Sequence, residues 1–298
     1  MSAICCQPSV LAPLSNFGRS LGFRLKSEVD PQAGLRCLQN AFDPSWGAVG
    51  LGEPLVRALG STVPGLRTFP ALSGPGCFVP SLQHALWINL AGEDRSTVFD
   101  HAEAITSQLE KFFELEDAVD TFKYQGGRDL TGYEDGTENP GPEESVNVAL
   151  LQVETAGLAA SSFVAVQRWK HDLRGFNAHS PKERDDMIGR HRETNEELDN
   201  APESAHVKRS AQESFAPEAF LVRRSMPWTN GNDQGLEFVA YSHSLDAFEQ
   251  ILRRMLGLED GIVDALFRFS TPITGAYYWC PPVAAGKLDL SFVSPQHG

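Results

Sequence analysis

Leu236-Glu237-Phe238-Val239-Ala240-Tyr241 predicts a strand, and a helix signal follows it directly. Its apolar, β-branched and aromatic residues favour an extended backbone. From residue 245, apolar side chains recur every three or four positions, which predicts a helix with one buried face. These side chains are Leu245, Phe248, Leu252 and Met255. Gly257 then provides a C-terminal cap, so residues 236–257 are predicted to form a strand–turn–helix unit.

The same order of elements occurs once before in the chain. The run Ala85-Leu86-Trp87-Ile88-Asn89-Leu90 predicts a strand, and the residues that follow it predict an amphipathic helix. The apolar positions of that helix are Val98, Ala102, Ile105, Leu109 and Phe112. Repeated strand–helix units with further strands between them indicate two α+β lobes of similar plan. We expect an N-terminal lobe over residues 1–143 and a C-terminal lobe over residues 144–298.

Composition limits the classes of partner. The 298 residues are 41% apolar and 21% charged, as in a globular protein, and the net charge is −14. An acidic chain without a basic cluster is a poor match for nucleic acid or for an anionic membrane surface. No apolar run is long enough to span a bilayer. The composition therefore favours a small-molecule or protein partner.

Cysteine usage bears on the compartment. The five cysteines are scattered and include no Cys-x-x-Cys pair, which fits a reducing environment and gives no sign of covalently attached haem. The segment Met1–Pro8 has no basic start and no long apolar run, so it does not resemble a signal peptide. We expect a cytoplasmic protein.

The segment Gly132-Tyr133-Glu134-Asp135-Gly136-Thr137-Glu138-Asn139-Pro140 carries the first candidate for chemistry. Its two glycines permit turns closed to other residues, and Pro140 stiffens the exit. A loop of this kind can hold the carboxylate of Asp135 against a flat ligand. An acidic surface turn would have the same composition.

Two later segments supply the other candidates. Most of the eight histidines, taken singly, read as surface or cap residues, and no His-Glu-x-x-His spacing occurs. His206 differs, because Pro202 and small residues before it predict a helix start that presents one uncrowded imidazole. A lone imidazole suits a metal whose other ligands come from a cofactor, as in haem. Arg223 and Arg224 either end a strand in solvent or direct one guanidinium inward to an anion.

Taken together, these segments resemble the dye-decolourising peroxidase family, in particular its shorter bacterial, class B-like branch. The resemblance runs over nearly the whole chain and rests on the Gly-x-x-Asp-Gly loop at 132–136, on Ala205-His206 and on the Arg-x-x-Met-Pro turn at 223–227. It implies an α+β fold of two ferredoxin-like lobes with antiparallel sheets, joined like a dimeric α+β barrel. The haem is then expected in the second lobe.

The resemblance also implies roles for individual residues around a b-type haem (heme b, iron protoporphyrin IX). His206 corresponds to the proximal iron ligand, Asp135 to the distal carboxylate and Arg223 to the distal arginine. Asp264 is the candidate partner of the proximal imidazole, although a solvent-facing helical Asp would look the same. The remaining expected cofactor-binding residues are Arg190, which could equally be a surface arginine, and Gly136, Thr137, Glu138 and Ser225.

The function implied is that of a haem peroxidase. It would reduce hydrogen peroxide through a ferryl intermediate and oxidise dye-like or phenolic small-molecule donors, as a homo-oligomer. The alternative is a haem-binding protein for haem or iron handling with incidental peroxidase activity. A third and more distant interpretation is a haem-free site in which Glu134, Asp135 and Glu138 bind a divalent cation, but their spacing misses the calcium-loop pattern.

Overall fold

The protein is described from a computed structural model that covers residues 5–294. Residues 1–4 and 295–298, and with them the start of the segment Met1–Pro8, lie outside the described part. The helices are α1 (Pro8–Leu11), α2 (Pro31–Ala41), α3 (Glu53–Ala58), α4 (Arg95–Leu109), α5 (Pro142–Ala149), α6 (Leu173–Ala178), α7 (Pro181–Ile188), α8 (His206–Arg209) and α9 (Leu245–Met255). Short 3₁₀ turns span Gln212–Ser214 and Ala265–Arg268.

The strands complete the element list. They are β1 (Phe17–Leu25), β2 (Gly47–Leu51), β3 (Leu72–Gly74), β4 (Cys77–Val79), β5 (Leu86–Gly92), β6 (Phe113–Phe122), β7 (Ser162–His171), β8 (Val222–Arg223), β9 (Met226–Asn230), β10 (Asp233–Ser242), β11 (Ser270–Pro272), β12 (Ala276–Cys280), β13 (Val283–Ala284) and β14 (Lys287–Leu288). Strand β10 and helix α9 confirm the predicted unit at 236–257. Strand β5 and helix α4 confirm its earlier counterpart.

Each half of the chain builds a four-stranded antiparallel sheet of the same plan. The N-terminal sheet has the order β2-β5-β1-β6, and the C-terminal sheet has the order β12-β7-β10-β9. In chain order, α2 connects the first two strands of the N-terminal sheet, whereas the short helices α6, α7 and α8 lie between the first two strands of the C-terminal sheet. One helix, α4 or α9, precedes the last strand of each sheet. This is the ferredoxin-like arrangement, so the predicted fold of two α+β lobes is confirmed.

The two sheets join at their edges into a closed ring. Strand β6 meets β9 where Thr121 faces Trp228, and β12 meets β2 where Trp279 faces Leu51. The ring therefore runs β7-β12-β2-β5-β1-β6-β9-β10 and returns to β7. Closure leaves none of these eight strands with an open edge. The predicted barrel-like joining of the lobes is thus present.

An ionic group lies among the residues that face the inside of the ring. The guanidinium of Arg168 on β7 lies 2.9 Å from Glu237 Oε2 and contacts both carboxylate oxygens of Asp117 at 2.8 and 2.7 Å. Glu237 belongs to the C-terminal lobe and Asp117 to the N-terminal lobe, so one arginine connects both. Burial raises the pKa of Glu237, and the charge of Arg168 opposes that shift.

Strand alternation places the opposite face of the C-terminal sheet against α9. Because successive side chains point to opposite faces, Gln167, Trp169 and His171 lie on the outer face of β7 while Arg168 points inward. Helix α9 crosses this face, and its N-cap is Ser244, whose side chain accepts a hydrogen bond from the Asp246 N–H. The first cavity described below lies between this sheet face and the helix. No helix among residues 5–294 is long and apolar enough to cross a lipid bilayer.

Candidate active site

A cavity separates the C-terminal sheet from α9, α8 and the loop that connects the lobes. It holds about 260 Å³, many times the roughly 10–15 Å³ that one water needs on this measure. Its apolar walls come from the sheet, from α9 and from the turn at 265–268, and examples are Trp169, Phe238, Leu252, Met255 and Leu266. Two pairs of polar side chains at this wall contain residues that the sequence analysis predicted at the site.

His206 and Asp264 form the first pair. His206 is the first residue of α8, and its Nδ1 lies 2.8 Å from Oδ2 of Asp264. The other oxygen of Asp264 accepts the Leu266 N–H at 2.8 Å, and the Asp264 side chain is fully buried. With both oxygens accepting, the carboxylate fixes the imidazole proton on Nδ1. Nε2 is then the nitrogen that His206 offers to the cavity.

Asp135 and Arg223 form the second pair. Arg223 lies at the end of β8, with Nη1 3.7 Å from Oδ1 of Asp135, and each side chain is less than one fifth exposed. Oδ1 also accepts the Gly136 N–H at 2.8 Å. The Arg223 Nε is buried and has no hydrogen-bond partner among the described residues. Burial raises the pKa of Asp135, Arg223 opposes that effect, and nearby Asp129 reinforces it.

The loop that carries Asp135 is attached to β8 by one amide side chain. Gly132 and Gly136 have φ angles of +88° and +73°, the left-handed turns that the sequence predicts. Asn139 accepts the Arg223 N–H at 2.7 Å through Oδ1 and donates to the Arg223 carbonyl at 3.2 Å through Nδ2. The backbone that carries the arginine is therefore held to the loop that carries the carboxylate.

Arg190 lies beside the cavity. It contacts Glu138, which lines the cavity, at 2.5 Å and Glu197 at 3.1 Å. Thr137 is exposed, and its hydroxyl accepts from Asn195 Nδ2 at 3.0 Å. Arg190 is thus ion-paired to two carboxylates of the cavity wall.

Ser225 lies apart from this cavity. It is 4% exposed, and its hydroxyl accepts the Val239 N–H at 3.3 Å, which links the strand segments around it. Of the residues predicted at the site, those on the cavity wall are Asp135, Glu138, His206 and Arg223. Asp264 stands directly behind His206, and Gly136 shapes the loop. The cofactor roles of Ser225, Gly136 and Thr137 stay predictions.

His171 lies on the cavity wall, although its sequence context predicted a surface or cap residue. Its Nε2 lies 3.1 Å from Asp129 Oδ2, and its Nδ1 lies 2.7 Å from the Ser270 hydroxyl. Burial alone would raise the pKa of Asp129, but hydrogen bonds from His171 and Thr131 bring it below its ordinary value. The available signal was the alternation along β7, which puts His171 on the same face as Trp169.

Comparison with known proteins identifies this arrangement. A family model described as the C-terminal part of Dyp-type peroxidase matches residues 126–285, more than half of the chain and the part that carries the cavity. The chain belongs to the Dyp-type peroxidase family. The predicted family and the peroxidase activity are thereby confirmed, and the haem-handling alternative is not favoured.

Related proteins are similar along nearly the whole chain of this peroxidase. A dye-decolorizing peroxidase of Mycolicibacterium paratuberculosis is 29% identical over 92% of this chain and 75% of its own. A dye-decolorizing protein from V. cholerae is 29% identical with a TM-score of 0.81, over 92% of this chain and 96% of its own. A DypB variant from Rhodococcus jostii, solved in complex with heme, is 26% identical with a TM-score of 0.83, over 92% and 95%.

Proposed function

We propose that this peroxidase reduces hydrogen peroxide and oxidises dye-like or phenolic donors at a b-type haem held by His206, with Asp135 and Arg223 as the catalytic pair. The observation that carries the proposal is that His206, backed by Asp264, and the Asp135–Arg223 pair line one apolar cavity. The heme complex of the related DypB supports the same cofactor.

The residues present fit a haem. The cavity is largely apolar, as a porphyrin face requires, and Nε2 of His206 would bind the haem iron. At the rim, Arg190 would pair with a carboxylate of the porphyrin edge, in place of or beside Glu138. When bound, the haem iron supplies the redox chemistry that reduces peroxide and then takes electrons from the donor.

Asp135 is the proton-transfer group in this proposal. Peroxide must lose a proton from one oxygen and gain one on the other before the O–O bond breaks to release water. A carboxylate within hydrogen-bond reach of both oxygens can accept the first proton and deliver it to the second. Asp135 must be ionised when peroxide arrives, and the guanidinium 3.7 Å away favours that form against the effect of burial.

Arg223 and Asp264 act through charge. Arg223 would stabilise the negative charge that develops on the departing oxygen, because its planar guanidinium presents several N–H donors to an anion. Asp264 accepts the Nδ1–H of His206, which makes the imidazole a more basic ligand and fixes its orientation.

Three further features belong to the same proposal. The lobes divide at residues 1–143 and 144–298, a boundary that falls within α5 between the last strand of one sheet and the first strand of the next. The location is cytoplasmic, supported by five cysteines that are all free thiols. The assembly is a homo-oligomer, as the family resemblance implies.

The test is the visible absorption spectrum of haem-loaded protein before and after one equivalent of peroxide, for the wild type and for Asp135→Asn. We expect a histidine-ligated ferric spectrum in both proteins, with a rapid change on peroxide addition in the wild type and a much slower one in the variant. His206→Ala should lose the ligation signature. Equal responses in wild type and Asp135→Asn would contradict the catalytic assignment and favour haem handling.

A further inference from the structure

A second pocket lies behind the Asp135–Arg223 pair, on the side away from the haem cavity. It holds about 440 Å³ and opens to the surface between the segment around Pro13, the loop at 123–128 and the end of β8. We call it the outer pocket. It shares Glu134, Asp135 and Arg223 with the haem cavity, so these side chains form the wall between the two.

The outer pocket is electropositive in an otherwise acidic protein. Its charged side chains are Lys123, Arg128, Glu134, Asp135, Arg223 and Arg224. Four cations against two carboxylates leave two net positive charges, whereas the whole chain carries −14. Both carboxylates already have partners, since Glu134 pairs with Arg128 at 2.9 Å and Asp135 faces Arg223 at 3.7 Å. The two cations left over are Lys123 and Arg224.

Of these two cations, Arg224 gives the stronger indication of a bound anion. It is half-buried, and its guanidinium donates to the carbonyls of Arg223 and Leu11 at 2.9 and 3.0 Å. Its Nε is buried without a hydrogen-bond partner, and no carboxylate pairs with it within residues 5–294. Burial lowers the pKa of Arg224, as expected for a cation without a counter-ion. A desolvated charge that lacks an ionic partner destabilises the site that holds it.

We propose that the outer pocket binds a small oxyanion, of the sulfate, phosphate or carboxylate class, between Arg224 and Lys123. A guanidinium matches the planar or tetrahedral oxygen arrangement of such anions and forms strong charge-assisted hydrogen bonds with them. Arg224 then gains the counter-ion that the protein does not supply, and exposed Lys123 closes the site from the solvent side. The pocket wall has few apolar side chains, which argues against an aromatic donor there.

Titration calorimetry of the haem-loaded protein with sodium sulfate tests the proposal, at an ionic strength held constant with sodium chloride. We expect saturable binding to the wild type. Arg224→Gln should weaken it roughly tenfold or more, because a charge-assisted contact is lost. Lys123→Gln should weaken it by a smaller factor. Arg24→Gln is the matched control, since Arg24 is an exposed β1 arginine already paired with Glu114 and Glu116, and it should bind sulfate like the wild type.

Replacing Arg224 and Lys123 in separate variants separates the loss of anion binding from a loss of folding. Arg224 holds backbone carbonyls and its replacement could disturb folding, whereas Lys123 is exposed and its replacement removes charge alone. Parallel titrations with phosphate and acetate identify the anion class. No saturable heat, or equal sulfate affinity in wild type, Lys123→Gln and Arg24→Gln, would overturn the proposal. Neither result depends on turnover, so the peroxidase function is tested separately.

Discussion

His206 is expected to bind the haem iron, and Asp135 is expected to transfer a proton of the peroxide. The hydrogen bonding around these two side chains differs. His206 is held by a carboxylate whose two oxygens are both engaged, so its ring has one orientation and one proton position. Asp135 has Oδ1 bonded to the Gly136 N–H, while Oδ2 accepts no hydrogen bond from residues 5–294. A histidine that binds a metal needs a fixed orientation, as His206 has. A carboxylate that transfers a proton needs an oxygen free to accept it, as Asp135 has.

Replacing Asp135 with Asn should slow the reaction with peroxide about 10²–10⁴-fold, the usual contribution of a positioned acid–base group. The amide preserves size but cannot accept the proton. Stopped-flow absorption of haem-loaded protein measures the rate. Glu134→Gln is the matched control, because Glu134 is the adjacent carboxylate and pairs with Arg128 on the exposed side. A similar loss in both variants would point to loop charge rather than to proton transfer.

The pH dependence of the same rate should report Asp135. The ionised form is the active one, and burial raises the pKa of this group. The rate should therefore fall on acidification, with its midpoint above the value of about 3.9 for a free Asp. In Asp135→Asn this acidic limb should disappear. A wild-type midpoint at or below the free value would contradict the assignment.

Asp264→Asn should weaken haem binding or peroxide turnover by about 10–100-fold, as is usual when the partner of a metal-bound histidine is changed. The neutral amide keeps a hydrogen-bond acceptor but no longer makes the imidazole more basic. Haem titration and the ferric reduction potential, which should rise, are the measurements. Asp260→Asn, which removes an ion pair to Arg209 instead, should leave the potential unchanged.

At the scale of elements, the loop at 132–140 and strand β8 work as one unit because Asn139 joins them. Asn139→Ala removes both hydrogen bonds to the Arg223 backbone. We expect a loss of about 1–3 kcal/mol in the free energy of unfolding, since a buried N–H is left unpaired, together with slower peroxide reaction. Ligation by His206 should stay as in the wild type, which the ferric spectrum checks. A slower reaction without any loss of stability would contradict this role.

The elements were predictable to the extent that their signals are local. The strand–helix unit at 236–257, the glycine turns around Asp135 and the helix start at His206 each depend on neighbouring residues, and all three are present. The contact between Asp129 and His171 joins residues 42 positions apart, and no local pattern indicates it. Ser225 lies between β8 and β9, and no local pattern indicated that its hydroxyl would accept a hydrogen bond from the Val239 N–H.

At the scale of the whole molecule, the ionic group inside the ring connects the lobes. Arg168→Met would leave the carboxylates of Glu237 and Asp117 facing each other without a cation. Removing one partner of a buried ion pair typically costs about 3–5 kcal/mol, so we expect a loss of that size in denaturant unfolding. The triple variant Arg168→Met, Glu237→Gln, Asp117→Asn should recover much of it. If the triple variant is as unstable as the single one, the charges are not the cause.

The two sheets have the same strand plan, but the helices that cover them are packed differently. Helix α4 lies on its sheet with Val98, Ala102, Ile105 and Leu109 all buried. A pocket of about 330 Å³ lies beside the first turn of α4, and Val98 is the one member of this stripe on its wall. Helix α9 presents an equivalent stripe, yet much of it borders the haem cavity. In the N-terminal lobe the helix stripe packs directly on its sheet, whereas in the C-terminal lobe the proposed haem would take the place of part of that packing.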